Sequence, residues 1–372
     1  HNVKYFYAQG TGDVSYCVKI SNRNGQRTHA ILSRLTGLQG YFSGTSTSML
    51  LRELIAFSPD IVHLQNLHSN YINLKILGIY LKTNHIATVI TLHDCWFYTG
   101  KCTYYVPANC KKWESGCGKC PLLHYDNVNP TFFFDTTHKC LADKEKWFAQ
   151  NRKVGIVGVS HWVTNEAKKS IYRSRKITCI YNWVDQDIFH YYQGLTNAEL
   201  GLPDRKIVLM VSTNLSIKKG YQELVYLAQK LPKDYQVVYI GGNKQGLAIP
   251  PNVIHIAHTN TSQRLAEYYS IAAVCVNTTQ FETFGMVTAE AISCGTPVIV
   301  YKNTASPELI GEGCGAVVCR KEEILGAVSE LSSGDREQYR KKCTSWAKIQ
   351  FSKERGVNKY IQFYEELIDI EK

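Results

Sequence analysis

Two glutamates eight residues apart, Glu282 and Glu290, have the type and spacing to do chemistry. They lie in "FETFGMVTAEAISCGTPV" (281–298), where a short loop runs into an apolar helical pattern. For a helix that starts near Phe284 or Gly285, Glu290 falls about one and a half turns in and Glu282 stays in the loop. A carboxylate so held accepts from paired sugar hydroxyls, and free NH groups near Gly285 and Met286 offer partial positive charge to a phosphate. On an exposed helix the same pair is ordinary surface charge, so the flanking sequence decides. Upstream, "NLSIKKG" (214–220) supplies a cation at Lys219. The first half holds His63, His68 and His93, the last beside Asp94, all at or beyond the ends of apolar runs. It also holds Cys95, Cys102, Cys110, Cys117 and Cys120. The last four, spaced x7, x6 and x2, fit a four-cysteine zinc loop loosely; disulfides and free thiols stay open.

These groups need elements to hold them. "PDIVHLQNL" (59–67), "IATVITLHD" (86–94) and "VGIVGVS" (154–160) are short β-branched runs, with a helical stretch from about Asn73 to Lys82. The second half repeats the pattern: strands at 206–212, 235–242, 252–257, 272–279 and 296–301, helices at 221–231 and 262–270. Strands alternating with helices predict parallel α/β sheets, whose strand carboxyl ends take ligands. The expected architecture is two Rossmann-like, doubly wound domains facing a cleft. Residues 1–190 form the first domain, with a cysteine-rich insertion at 95–121, and 191–350 form the second. A C-terminal helix in 351–372 packs back on the first domain. Gly295 is the expected helix stop, with Pro297 opening the next strand.

The composition, 44% hydrophobic and 20% charged over 372 residues, is that of a folded globular chain with room for two cores. No run approaches the roughly 20 apolar residues of a membrane span, so a cytoplasmic location is expected. Thirteen cysteines, an odd count spread through apolar patterns, suit a reducing compartment. Net charge is +11, and it is lopsided: residues 1–190 hold 22 Lys/Arg against 12 Asp/Glu, and 191–372 hold 20 against 19. A basic first half suits a phosphate-bearing partner or an ordinary solvated face. "KKSIYRSRK" (168–176), with Ile171 and Tyr172 among its cations, is a candidate for resting on anionic lipid. No G-x-G-x-x-G follows a predicted strand, which argues against a nicotinamide dehydrogenase.

The string "TTQFETFGMVTAEAISCGTPVIV" resembles the E-x7-E signature of family 4 retaining glycosyltransferases, in spacing, in the Phe284-Gly285 pair and in the Gly-Thr-Pro strand entry. The resemblance extends over nearly the whole chain. It implies the GT-B fold, with 1–190 as the acceptor-side domain and 191–350 as the nucleotide-sugar domain, and a role for Glu290 on the donor ribose and for Glu282 near the transferred sugar. Thr283, Phe284, Gly285 and Met286 then contact sugar and phosphate, and Lys219 neutralises the diphosphate. Asn214 occupies a donor-side position where the family carries Arg. His93 resembles the family histidine that reaches the transferred sugar.

The run from His93 through the cysteines to Cys120-Pro121 resembles a subset of the family that builds exopolysaccharide, capsule and colanic-acid-type polymers. That implies a UDP- or GDP-sugar donor, a saccharide or lipid-linked saccharide acceptor, peripheral contact at the inner face of the cell membrane and no nucleic acid. No cofactor is implied for catalysis; a structural zinc on Cys102, Cys110, Cys117 and Cys120 is the metal expectation. The family opens with a strand, a Gly-rich loop and a helix ahead of the part resembling "HNVKYFYAQG" (1–10), and those residues are not in this sequence. A GT-B nucleotide-sugar epimerase and a catalytically silent sugar-nucleotide-binding protein are the rival readings.

Overall fold

The computed structural model describes residues 2–10, 14–124 and 130–369. The chain divides into two compact units: residues 1–180 together with the chain from Tyr360 onward, and Tyr181–Lys359.

In the first unit, β1 (Tyr5–Tyr7) and β2 (Cys17–Lys19) form a parallel pair of their own, followed by α1 (Arg23–Thr36) and α2 (Gly44–Phe57). A four-stranded parallel sheet then runs in chain order: β3 (Ile61–Gln65), β4 (Ala87–Leu92), β5 (Val154–Gly158) and β6 (Lys176–Cys179). The helices α3 (Leu74–Thr83), α4 (Thr137–Lys144) and α5 (His161–Ala167) intervene. Every residue of β4 and β5 is buried, as strands covered on both faces require. Asn22 and Asn73 cap α1 and α3 by accepting from Gly25 and Ile76 NH groups.

The expected insertion has no regular strand or long helix but folds through three single turns, at Trp96–Tyr98, Val106–Ala108 and Lys112–Glu114. Trp96, Tyr98 and Trp113 are buried in the main core of the unit. Tyr98 and Tyr105 pack on Trp113 with ring centroids 5.1 and 5.0 Å away. The segment therefore has an aromatic core of its own, where apolar periodicity shows nothing.

The second unit begins earlier than residue 191, because Val184 NH bonds to Phe351 carbonyl and Gln186 to Ala347 carbonyl. Its strands are β7 (Lys206–Asn214), β8 (Tyr235–Gly242), β9 (Ile254–Ile256), β10 (Val274–Asn277), β11 (Val298–Tyr301) and β12 (Gly315–Val318). They form one parallel sheet in the order β9-β8-β7-β10-β11-β12. Helices α6 (Tyr221–Lys230), α7 (Ser262–Ile271), α8 (Met286–Ser293) and α9 (Ile324–Ser333) link them. After them come α10 (Arg336–Gln350) and α11 (Lys353–Ile368). The winding reverses between β7 and β10, neighbours in the sheet whose connections leave in opposite directions.

α8 ends in a Schellman motif: Gly295, at φ 80°, donates to Ile292 carbonyl and Thr296 donates to Ala291 carbonyl. From Tyr360, α11 belongs to the first unit, where Phe363 and Leu367 pack on Ala87, Val89 and Val157. Gly155 on β5 makes that approach feasible, since a Cβ there would stand 2.6 Å from Leu367 Cδ1.

The segment at 168–176 departs from its expected role. Tyr172 is fully buried and Ile171 packs against the core, so the apolar residues face inward. Lys169 and Lys176 pair with Glu166 and Glu366, which leaves a solvated basic surface and no apolar face for lipid.

Candidate functional site

In the second unit the polar residues gather at the carboxyl edge of the sheet around the β7/β10 reversal. The turn that carries Lys219 is pinned there: Gln280 NH donates to Lys218 carbonyl at 3.0 Å, and a Cβ on Gly220 would lie 2.7 Å from Thr278 Oγ1. Lys219 Nζ donates to Thr213 Oγ1 at 3.1 Å, and its charge lies near enough to Glu282 to favour that carboxylate. Burial nevertheless holds the Glu282 carboxyl above the usual range, against the pull of Lys219 and of a hydrogen bond from Thr279. Thr279 in turn bonds to Asn277, whose amide donates to Thr288 on α8 at 2.9 Å. The loop and the first turn of α8 are thus one hydrogen-bonded unit.

Gly285, at φ 108°, precedes α8, and Glu290 lies five residues beyond it on the helix. The Glu290 carboxyl is pushed up to about 7 by burial, which outweighs the bond that Tyr269 OH donates to its Oε2 at 3.2 Å. Thr283 and Phe284 are buried; the Phe284 ring packs on Tyr181 and Phe351, and Met286 is exposed. The Thr283 and Phe284 side chains anchor the loop, and Gly285 is buried with them. The Glu282 NH donates to Thr304 Oγ1 at 2.9 Å. Thr304 itself sits at φ 48°, unusual for a β-branched residue and a position where glycine would be at ease.

Asn214 ends β7 beside Gly242 of β8. Its Oδ1 and the Thr278 Oγ1 are buried without a hydrogen-bond partner among the described residues. Buried polar atoms are rarely left so, and these two lie at the sheet edge that carries Lys219 and Glu282. Thr278, Thr279, Tyr269 and Thr304 are site residues that the sequence reading missed. The two threonines follow a strand end and were within reach of the rule for carboxyl edges; Tyr269 meets Glu290 across 21 residues and carried no signal.

In the first unit, His93 is half-buried and bonds through Nε2 to Gln65 Oε1 at 3.0 Å. Burial keeps it below the usual histidine range, opposed by the adjacent Asp94. Asp94 receives His68 Nε2 at 2.8 Å and the Trp96 NH at 2.8 Å, so it braces the start of the insertion. His63 is tied on both nitrogens, to Thr91 Oγ1 at 2.7 Å and to Tyr364 OH at 2.8 Å, and it packs against Tyr360 and Tyr364. It fastens β3 to β4 and α11.

Cys102, Cys110, Cys117 and Cys120 line one cavity of about 20 Å³ with Trp113 and Lys101, and Cys95 lies buried apart from it. The Gly100 NH donates to Cys117 Sγ at 3.2 Å, and the Cys120 NH donates to Asp135 at 2.6 Å. Among the described residues no three His, Cys, Asp or Glu side chains stand in a closed coordination array.

Residues 1–188 match the model of Glycosyltransferase Family 4, and residues 195–349 match that of Glycosyl transferases group 1. The chain belongs to glycosyltransferase family 4. It is an enzyme of the glycosyltransferase class with the GT-B fold. Among curated proteins it is 24% identical over 320 residues to the putative colanic acid biosynthesis glycosyl transferase WcaC of Escherichia coli K12, covering 83% of this chain and 77% of that one. Among solved structures it resembles sucrose-phosphate synthase from Thermosynechococcus elongatus, with a TM-score of 0.66 at 17% identity over 87% of this chain and 78% of that one. It also resembles Anabaena HepE solved with UDP and glucose, with a TM-score of 0.62 at 15% identity over 95% of this chain and 86% of that one.

Proposed function

We propose that the enzyme moves a sugar from a nucleoside-diphosphate sugar to a saccharide acceptor, keeping the anomeric configuration, in the assembly of a surface polysaccharide. One observation carries the donor half: Glu282 and Glu290, both held above the usual carboxyl range by burial, flank the open start of α8 with Lys219 beside the first. The Glu290 carboxylate accepts from the two ribose hydroxyls, which reward its ionisation, and Tyr269 orients it. The diphosphate rests on the NH groups at the start of α8 and on Lys219. Thr283, Phe284, Gly285 and Met286 line the sugar and phosphate through the backbone, and the Asn214 amide faces the donor where a second cation would otherwise stand. Glu282 accepts from a hydroxyl of the transferred sugar. HepE, solved with UDP and glucose, supports a uridine donor, and a guanosine donor is the alternative.

The acceptor hydroxyl enters on the face from which the diphosphate leaves. The bond from the anomeric carbon to the phosphate oxygen breaks, the bond to the acceptor oxygen forms, and the acceptor proton passes to the departing phosphate. For His93 the family resemblance supports a contact with the transferred sugar. Lys219 and the helix NH groups supply the leaving-group stabilisation, so turnover survives a chelator. The WcaC similarity supports a polysaccharide acceptor, which we take to be lipid-linked at the cytoplasmic face of a bacterial membrane, with no nucleic acid partner. The four cysteines around one cavity support a structural zinc whose thiolates close on it, and metal analysis of the purified protein decides. Product analysis with and without a saccharide acceptor tests the reaction: a retained glycosidic linkage is expected, and an epimerised donor without acceptor contradicts it.

A further inference from the structure

One exposed apolar feature of the first unit was left without a role by the sequence reading. Phe132, Phe133 and Phe134 are consecutive and 52%, 69% and 61% exposed. They form neighbouring edge-to-face pairs, with centroids 6.4 and 6.5 Å apart, and find no cover in the core. Three such side chains in water are costly, at about 25 cal/mol per Å² of apolar surface.

The turn is fastened to α1: Phe132 NH donates to Arg34 carbonyl at 2.8 Å, and a Cβ on Gly37 would lie 2.5 Å from Phe134 carbonyl. The helix presents the other half of the face. At the helical repeat, Arg23, Arg27, Ile31, Arg34 and Leu35 share one side, and all five are exposed. His29 and Ser33 lie on the opposite, buried side. Ile31 and Leu35 are 55% and 39% exposed and extend the apolar surface towards the phenylalanines. α1 has three arginines and no acidic residue. Asp135, the acid next to the turn, is turned away to accept from Cys120 NH, Thr137 NH and Thr137 OH.

We propose that the arginine side of α1 and the Phe132–Phe134 turn form a docking face for an anionic lipid bilayer. The phenylalanines with Ile31 and Leu35 enter the boundary between headgroups and acyl chains, and Arg23, Arg27 and Arg34 pair with lipid phosphates above it. The division of labour follows from the residue types: apolar rings gain by leaving water whatever the headgroup, and the arginines supply the preference for anionic lipid. No helix of the described residues is long and apolar enough to cross a membrane, so docking is peripheral. The face gives the lipid-linked acceptor of the reading above a surface to approach from, but neither its evidence nor its test involves the donor.

The test is co-sedimentation of the full chain, without nucleotide-sugar, with vesicles of phosphatidylcholine plus phosphatidylglycerol and with vesicles of phosphatidylcholine alone. Binding to the anionic vesicles is expected, weakened by salt and at least roughly tenfold weaker with the neutral ones. The triple change Phe132→Ser, Phe133→Ser, Phe134→Ser should lower binding roughly tenfold or more with the melting temperature unchanged, and R23Q/R27Q/R34Q should remove the preference for anionic lipid. As a second readout, a tryptophan at position 133 (F133W) should blue-shift its emission on vesicles. Equal binding by the phenylalanine triple variant, no shift at F133W, or a monomer-to-dimer difference between wild type and variant without vesicle binding would overturn the proposal. UDP affinity of the triple variant is expected to match wild type, so failure here and failure of the donor site are distinguishable.

Discussion

The carboxyl edges of the two sheets use their polar side chains in opposite ways. At the second, burial lifts Glu282 and Glu290 above their usual range, and Asn214 Oδ1 and Thr278 Oγ1 have no partner among the described residues. At the first, Asp94 holds His68 Nε2 and the Trp96 NH, although His68 Nδ1 is buried without a partner among the described residues, and His63, in the middle of β3, is bonded on both nitrogens. Both edges leave a buried polar atom unpaired, so the difference lies in the acids: Asp94 is engaged by His68 and the Trp96 NH, whereas the second edge holds two carboxyls raised by burial, acceptors that a hydroxyl-rich ligand can use. Residue type does not distinguish them, since both edges carry charged and polar groups in loops after strands.

That contrast breaks most visibly at Glu282. Exchanging it for Gln keeps its shape and removes its charge, and kcat/KM should fall about a hundredfold while UDP affinity changes less than about threefold. Equal losses in both would make Glu282 a donor anchor and erase its distinction from Glu290. His63→Ala should do the reverse, lowering stability by about 2 kcal/mol in urea unfolding with UDP affinity unchanged. Lys219→Ala should weaken UDP binding about tenfold and flatten its salt dependence, since the cation acts on the diphosphate.

The smallest effect sharpens the electrostatics. The free Glu290 carboxyl sits at about 7, and ribose hydroxyls favour its ionised form, so the bound value is lower. Affinity for a nucleotide-sugar should therefore climb as pH rises through about 7 and level above it, by at most roughly tenfold per unit. The same raised value means that Glu290 contributes stability below its unfolded range which is lost as pH rises towards about 7. Calorimetry in buffers of different ionisation enthalpy reads the released proton; uptake in place of release would reverse the assignment.

Much of the second unit was legible because its strands are bounded by polar residues and its helices by recognisable ends. "YQVVYIGG" is β8 to the residue, and Gly295 is the αL residue of the α8 stop. The Lys218–Gly220 turn and the loop before Glu282, joined by the Gln280–Lys218 bond across 62 residues, meet because β7 and β10 are neighbours. Sheet order of that kind follows from handed crossovers and was foreseeable in outline, but the hydrogen bonds of Thr279 and Tyr269 were not.

The first unit hid more. Periodicity marks which side of a helix is apolar but not whether anything covers it, so Tyr172 was read as exposed among cations and is buried. Ile31 and Leu35, by contrast, lie uncovered beside arginines, and Phe132–Phe134, to which the sequence reading gave no role, are exposed. The cysteine-rich segment misled for another reason: aromatic stacking of Tyr98, Tyr105 and Trp113 leaves no period for a sequence pattern to show.

The central claim is that the carboxyl edge of the second sheet is a donor site anchored by Glu290. Isothermal titration of UDP into the wild-type chain and into Glu290→Ala tests it most directly. Saturable one-to-one binding to wild type and a loss of at least roughly tenfold in the variant, with its melting temperature unchanged or raised, are predicted. Equal affinity in the two proteins would contradict it.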